Sequence, residues 1–101
     1  MTQPPTKTPE VLQVRIVAPK KILFSEAALA VSSTNSAGKF DILPEHANFV
    51  TLVELAPIII TKVNEETVKF QFPLAIIYAR NNKVNIYTDI QLSITEEGKG
   101  N

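Results

Sequence analysis

Gly38-Lys39-Phe40-Asp41-Ile42-Leu43-Pro44-Glu45-His46-Ala47-Asn48-Phe49-Val50-Thr51 decides how this 101-residue chain folds. A glycine opens a segment in which Phe40 and Ile42 alternate with Lys39 and Asp41, the period of a strand with one side in an apolar core. Pro44 then turns the chain, because its fixed φ suits the second position of a β-turn, and the single histidine follows at position 46. Glu45 falls at the third turn position. A type II turn wants positive φ there, so a glutamate favours type I. Strand character resumes over residues 49–53.

The same period of two extends in both directions. Upstream, Leu12, Val14 and Ile16 alternate with Gln13 and Arg15, and Pro19 ends that strand because it has no N–H for a ladder. Residues 21–24 predict a short second strand and Ser25-Glu26 a turn. Residues 27–33 are ambivalent, since alanines favour helix while Leu29 and Val31 alternate; we read them as strand. Residues 32–37 form a polar stretch expected to loop back to Gly38.

Downstream, Ile58-Ile59-Ile60 is apolar on both faces of any strand and belongs in the interior or under a partner. Asn64-Glu65-Glu66 marks a hairpin turn, after which Val68, Phe70 and Phe72 alternate inward against Lys69 and Gln71. Pro73 interrupts, residues 74–79 form another apolar run, and Asn81-Asn82 is a tight-turn pair, because asparagine tolerates positive φ. Val84 and Ile86 share one face of residues 83–88, and Leu92 and Ile94 hint at a last edge strand. The fold class is therefore all-β: a two-sheet β-sandwich or flattened barrel of about nine short, mostly antiparallel strands. Residues 11–94 form the domain, with a disordered leader at 1–10 and a flexible tail at 95–101.

Composition narrows the function. Ten basic and ten acidic residues cancel, and no basic run exceeds Lys20-Lys21, which argues against a surface that tracks nucleic-acid phosphates. Tyr78 and Arg80 are the nearest approach to an oligonucleotide-stacking platform and are too few. There is no cysteine, so no thiolate metal site can be assembled, and no second histidine or cysteine is present to partner His46 in a metal or catalytic role. No apolar run approaches the roughly 20 residues of a membrane helix, and residues 1–10 lack the apolar core of a secretory signal; we expect no direct membrane insertion and a cytoplasmic setting. Gly98-Lys99-Gly100 lacks the spacing of a phosphate loop.

Each remaining candidate has two readings. His46 either contacts a partner or hydrogen-bonds a nearby carbonyl to hold the turn, and the two are compatible. Gly38 either admits a partner backbone or merely turns the corner into its strand. Lys39 and Asp41 are solvated or presented outward. The apolar runs 58–60 and 74–78 are core material, with enough two-sided apolar residues to leave an exposed patch of interface size.

Written as Gly-x-Phe-x-Ile-Leu-Pro-x-His-Ala-x-x-x-Thr, the opening stretch resembles the signature of the epsilon subunit of F-type ATP synthase, called delta in mitochondria. Leu12-Gln13-Val14-Arg15-Ile16-Val17-Ala18-Pro19 with Ile22-Leu23-Phe24 resembles that family's opening strand and turn. Residues 68–72, 75–78 and 82–88 resemble its closing strands, so the likeness covers about residues 12–90. Lys39, Asp41 and Glu45 stand where members commonly have Glu, Gly and Gly, Asn48 stands for Pro, and Phe72-Pro73-Leu74 replaces paired glycines.

The resemblance implies a non-catalytic central-stalk subunit that links the gamma subunit to the membrane c-ring and transmits rotation during proton-driven ATP synthesis. It implies a peripheral position on the cytoplasmic face of the bacterial inner membrane. Carried over by position, Ala37, Gly38, Lys39 and Phe40 form the edge facing the c-ring, and His46, Ala47 and Thr51 face gamma. No cofactor, metal or catalytic residue is implied. Longer members add a helical hairpin that binds ATP and brakes rotation; residues after Thr88 show no helical period, so no nucleotide binding is expected. The alternative, since fold alone licenses no function, is a free-standing β-sandwich interaction module unrelated to rotary enzymes.

Overall fold

A computed structural model describes residues 10–45 and 48–89. The alternating segments become β1 (Leu12–Ala18), β2 (Lys21–Asn35), β3 (Gly38–Ile42), β4 (Phe49–Val53), β5 (Pro57–Lys62), β6 (Thr67–Gln71), β7 (Ala75–Arg80) and β8 (Lys83–Tyr87). The leader, His46, Ala47, the edge strand suggested by Leu92 and Ile94, and the tail lie outside the described residues.

Seven strands pair in the order β4-β7-β8-β1-β2-β5-β6, and β3 pairs with β2 beyond the end of β1. The pairs are antiparallel except β1 with β8, which run parallel from Gln13 opposite Lys83 to Val17 opposite Tyr87. Parallel neighbours cannot be joined by a tight turn, and here the whole domain serves as the connection. All eight strands contribute to a single apolar cluster or pack against it. It includes Val14 and Ile16 of β1, Val31 of β2, Ile42 of β3, Val53 of β4, Ile58 and Ile60 of β5, Ile77 of β7 and Ile86 of β8, with Val68 and Phe70 of β6 packed alongside. A flat sheet could not bring its edges to one core, so the sheet curls on itself into the all-β, sandwich-like body expected. Phe24 on β2 meets Phe70 on β6 edge-on, with centroids 5.6 Å apart, although the two strands are not neighbours in the sheet.

Among the described residues two polar side chains enter this interior, and both are bonded. The Ser33 hydroxyl donates to the Pro57 carbonyl at 2.8 Å, and the Thr88 hydroxyl donates to the Leu74 carbonyl at 3.1 Å. Satisfying them matters because a buried hydroxyl without a partner costs roughly 1–3 kcal/mol.

Three local expectations are corrected. Ser25-Glu26 is not a turn: β2 runs unbroken for 15 residues, with Ser25 opposite Arg15 and Glu26 opposite Val14. Two successive exposed polar residues in a strand look like a turn in sequence, and only the pairing with β1 tells them apart. A bulge between Ile16 and Val17 lets the long strand bend instead. The polar stretch 32–37 is strand through Asn35, and the turn is confined to Ser36 and Ala37. Finally, Glu45 takes φ 69°, the positive value a type II turn wants, despite its side chain. Its N–H donates to Asn82 Oδ1 at 2.7 Å, a tertiary bond that holds the backbone in this conformation.

Other expectations are met. Asn81 and Asn82 both adopt positive φ, 52° and 63°, joining β7 to β8 by a two-residue turn. Ile58 and Ile60 are fully buried, with Ile59 between them half-buried.

Candidate functional site

The hairpin tip between β2 and β3 carries the residues singled out at positions 37–40. Gly38 has φ 123°, and a Cβ built there would meet nothing within 4 Å. Backbone conformation, not crowding, is what calls for glycine at this corner. Asn35 organises the tip: its Oδ1 accepts the Ala37 N–H at 2.8 Å, while its Nδ2 donates to Thr51 Oγ1 on β4 at 2.9 Å. Lys39 and Asp41 point outward, and Ser32 donates to Asp41 Oδ1 at 2.6 Å, which fixes the carboxylate beside β2. Phe40 turns inward and packs on Phe49, centroids 5.2 Å apart at 57°.

Thr51 lies on the same side of β4 as Phe49 and Val53, half-buried, so its hydroxyl is directed at Asn35. His46 and Ala47 lie outside the described residues. The structure thus brings Ala37, Gly38 and Phe40 together with Thr51 through Asn35 and the two phenylalanine rings.

A second surface was only half legible. Along β7, Ala75, Ile77 and Ala79 are buried while Ile76, Tyr78 and Arg80 face outward. On β4 the outward pair is Val50 and Leu52, directly opposite Tyr78 and Ile76. Following the register, Leu52, Ile76, Tyr87, Val17 and Ile22 stand side by side across five strands. Leu52 and Ile76 are 54% and 43% exposed, too wet for core positions. Contiguous exposed apolar rows of this kind mark contact surfaces. The run at 74–78 signalled an excess of apolar residues, but Val50 and Leu52 carried no separate signal, because β4 has apolar residues on both faces in sequence.

One row along, the character changes. Val50, Tyr78, Asn85 and Arg15 are neighbours in register, and beyond them Arg80, Lys83 and Gln13. The outer face therefore grades from apolar to basic along the strands. Asn82 ties the far end together, with its carbonyl accepting the Gln13 N–H at 2.8 Å and its side chain accepting the Glu45 N–H.

Among the described residues no cluster of three or more His, Cys, Asp or Glu side chains could hold a metal ion, and no helix is long and apolar enough to cross a membrane.

Comparison with known proteins fits this geometry. Residues 11–93 match the family model described as ATP synthase, Delta/Epsilon chain, beta-sandwich domain. The ATP synthase epsilon chain of Sulfurovum sp. (strain NBC37-1) is 25% identical over 88 residues, covering 87% of this chain and 69% of that protein. Among solved structures, the fold resembles a chain of the Euglena gracilis mitochondrial ATP synthase (OSCP/F1/c-ring), with TM-score 0.73 at 11% identity, covering 86% of this chain. It also resembles a chain of the Tetrahymena thermophila mitochondrial ATP synthase central stalk and c-ring, with TM-score 0.65 at 13% identity over 84% of this chain. The present chain spans 56% of the Euglena chain and 67% of the Tetrahymena chain. The match over residues 11–93 settles the family: this chain belongs to the ATP synthase delta/epsilon chains, and its body is their β-sandwich domain.

Proposed function

We propose that this protein is a non-catalytic central-stalk subunit of an F-type ATP synthase that links the gamma subunit to the c-ring and transmits rotation during proton-driven ATP synthesis. The observation that supports the reading is a β body of the delta/epsilon family, built on one apolar core, that carries an exposed hairpin tip and a separate exposed apolar face. Such a part must be stiff, and a core packed to crystal-like density has low compressibility. Ala37, Gly38, Lys39 and Phe40 at the hairpin tip serve the polar loops of the ring. His46 and Ala47, with the outward Val50 and Leu52 of β4 and Tyr78 of β7, serve gamma, while Thr51, on the inward side of β4, ties that strand to the tip through Asn35. Lys39 and Asp41 set the charge offered to the ring. In the assembly the subunit is peripheral, on the cytoplasmic face of the membrane.

Titration of the chain with its cognate gamma subunit tests this. Binding in a one-to-one complex is expected. Val50→Ser with Leu52→Ser weakens it by about 30-fold, the size of an interface anchor lost, with the melting temperature little changed. No binding to gamma, together with stable homodimers of the isolated chain, refutes the reading and favours a free-standing interaction module.

A further inference from the structure

We infer that Asn35 is a positioning residue that locks the hairpin tip to strand β4 across a seam in the sheet, with Thr51 as its anchor. Among the described residues β3 pairs only with β2, and β4 only with β7. These two strands follow one another in sequence, yet no backbone ladder joins them. Where neighbouring strands pair, backbone hydrogen bonds fix them; between β3 and β4 the connection falls to side chains. Among the described residues the gap is spanned by the bond from Asn35 Nδ2 to Thr51 Oγ1 at 2.9 Å and by the Phe40 and Phe49 rings. A ring pair tolerates a broad range of offsets and tilts, whereas the hydrogen bond fixes a distance and a direction more narrowly.

The same asparagine also holds the turn itself. With Oδ1 engaged by the Ala37 N–H, its amide cannot reorient without releasing the tip, so a displacement of β4 at Thr51 is passed to Ala37 and Gly38 through one planar group. The fastening is a property of the isolated domain. Its use, keeping a ring-facing tip in fixed relation to a shaft-facing strand, rests on the function proposed above.

The experiment compares two full-length variants that differ at the anchor alone. Thr51→Val keeps the shape and strand preference but removes the hydroxyl; Thr51→Ser keeps the hydroxyl and removes the methyl. Amide hydrogen exchange is read at Ala37 and Gly38, with Ile60 as a core reference. The expected result is exchange at the tip faster by about fivefold or more in Thr51→Val, near wild type in Thr51→Ser, and unchanged at Ile60 in both. Equal exchange at the tip in wild type and Thr51→Val overturns the inference, as does acceleration that follows the lost methyl in Thr51→Ser. The variants are then placed in the assembled ATP synthase. If the tip loosens in Thr51→Val while ATP-driven proton pumping per ATP hydrolysed stays at the wild-type value, the fastening stands and its role in coupling fails.

Discussion

Ile76 and Ile77 are neighbours on β7, chemically identical and on opposite faces, which makes them a sensitive check on the whole arrangement. Ile77 is fully buried and Ile76 is 43% exposed. Truncation to alanine at position 77 removes about 2.4 kcal/mol of transfer free energy at about 0.8 kcal/mol per buried carbon. The surrounding Val, Ile and Ala side chains come from several strands and cannot all collapse inward, so a cavity contribution raises the loss to about 3–4 kcal/mol. At position 76 part of the side chain is already wet and no closed cavity forms. Its remaining packing, against Leu52 and Tyr87, limits the loss to about 1 kcal/mol. For a domain of this size that separates the two melting temperatures by about 10 °C or more. Thermal unfolding by circular dichroism reads both, and the binding of gamma is expected to show the reverse order, with Ile76→Ala the more damaging. Equal losses of stability, or a larger loss at 76, would refute the register on which the outer face rests.

Two further outcomes follow from local geometry. Gly38→Ala meets no steric obstacle, so any loss is backbone strain at φ 123°; about 1–3 kcal/mol is expected, read as a lower urea midpoint with unchanged slope. Asn82→Ala both strains a positive-φ position and leaves the Glu45 N–H without its acceptor, at about 2 kcal/mol, whereas Asn82→Gly removes only the acceptor and loses about half as much. Chemical denaturation distinguishes these variants, and an alanine no worse than the glycine contradicts the geometry assigned to the turn.

What could be read in advance was whatever depends on near neighbours. The strand at residues 12–18 was legible because period two shows directly in Leu12, Val14 and Ile16, and the Asn81-Asn82 turn because positive φ is a property of the residue type. Ser25-Glu26 misled because two successive exposed polar residues in a strand and a polar pair in a turn have the same composition. Glu45 misled because its conformation is held by Asn82, a residue distant in sequence, so intrinsic preference was overridden by a tertiary bond. At the candidate site, Gly38 and its neighbours were marked by a motif, while Asn35 and the outward residues of β4 were not.

By itself the sequence determined that the chain is all-β, where most strands lie, and which family it resembles, since alternation, turn chemistry and motif spacing are written locally. Tertiary structure alone decided that β1 and β8 lie parallel, which side of β4 and β7 faces water, and that Asn35 reaches Thr51. The reason is geometric: a strand apolar on both sides has no preferred face until the sheet curls and one side is covered.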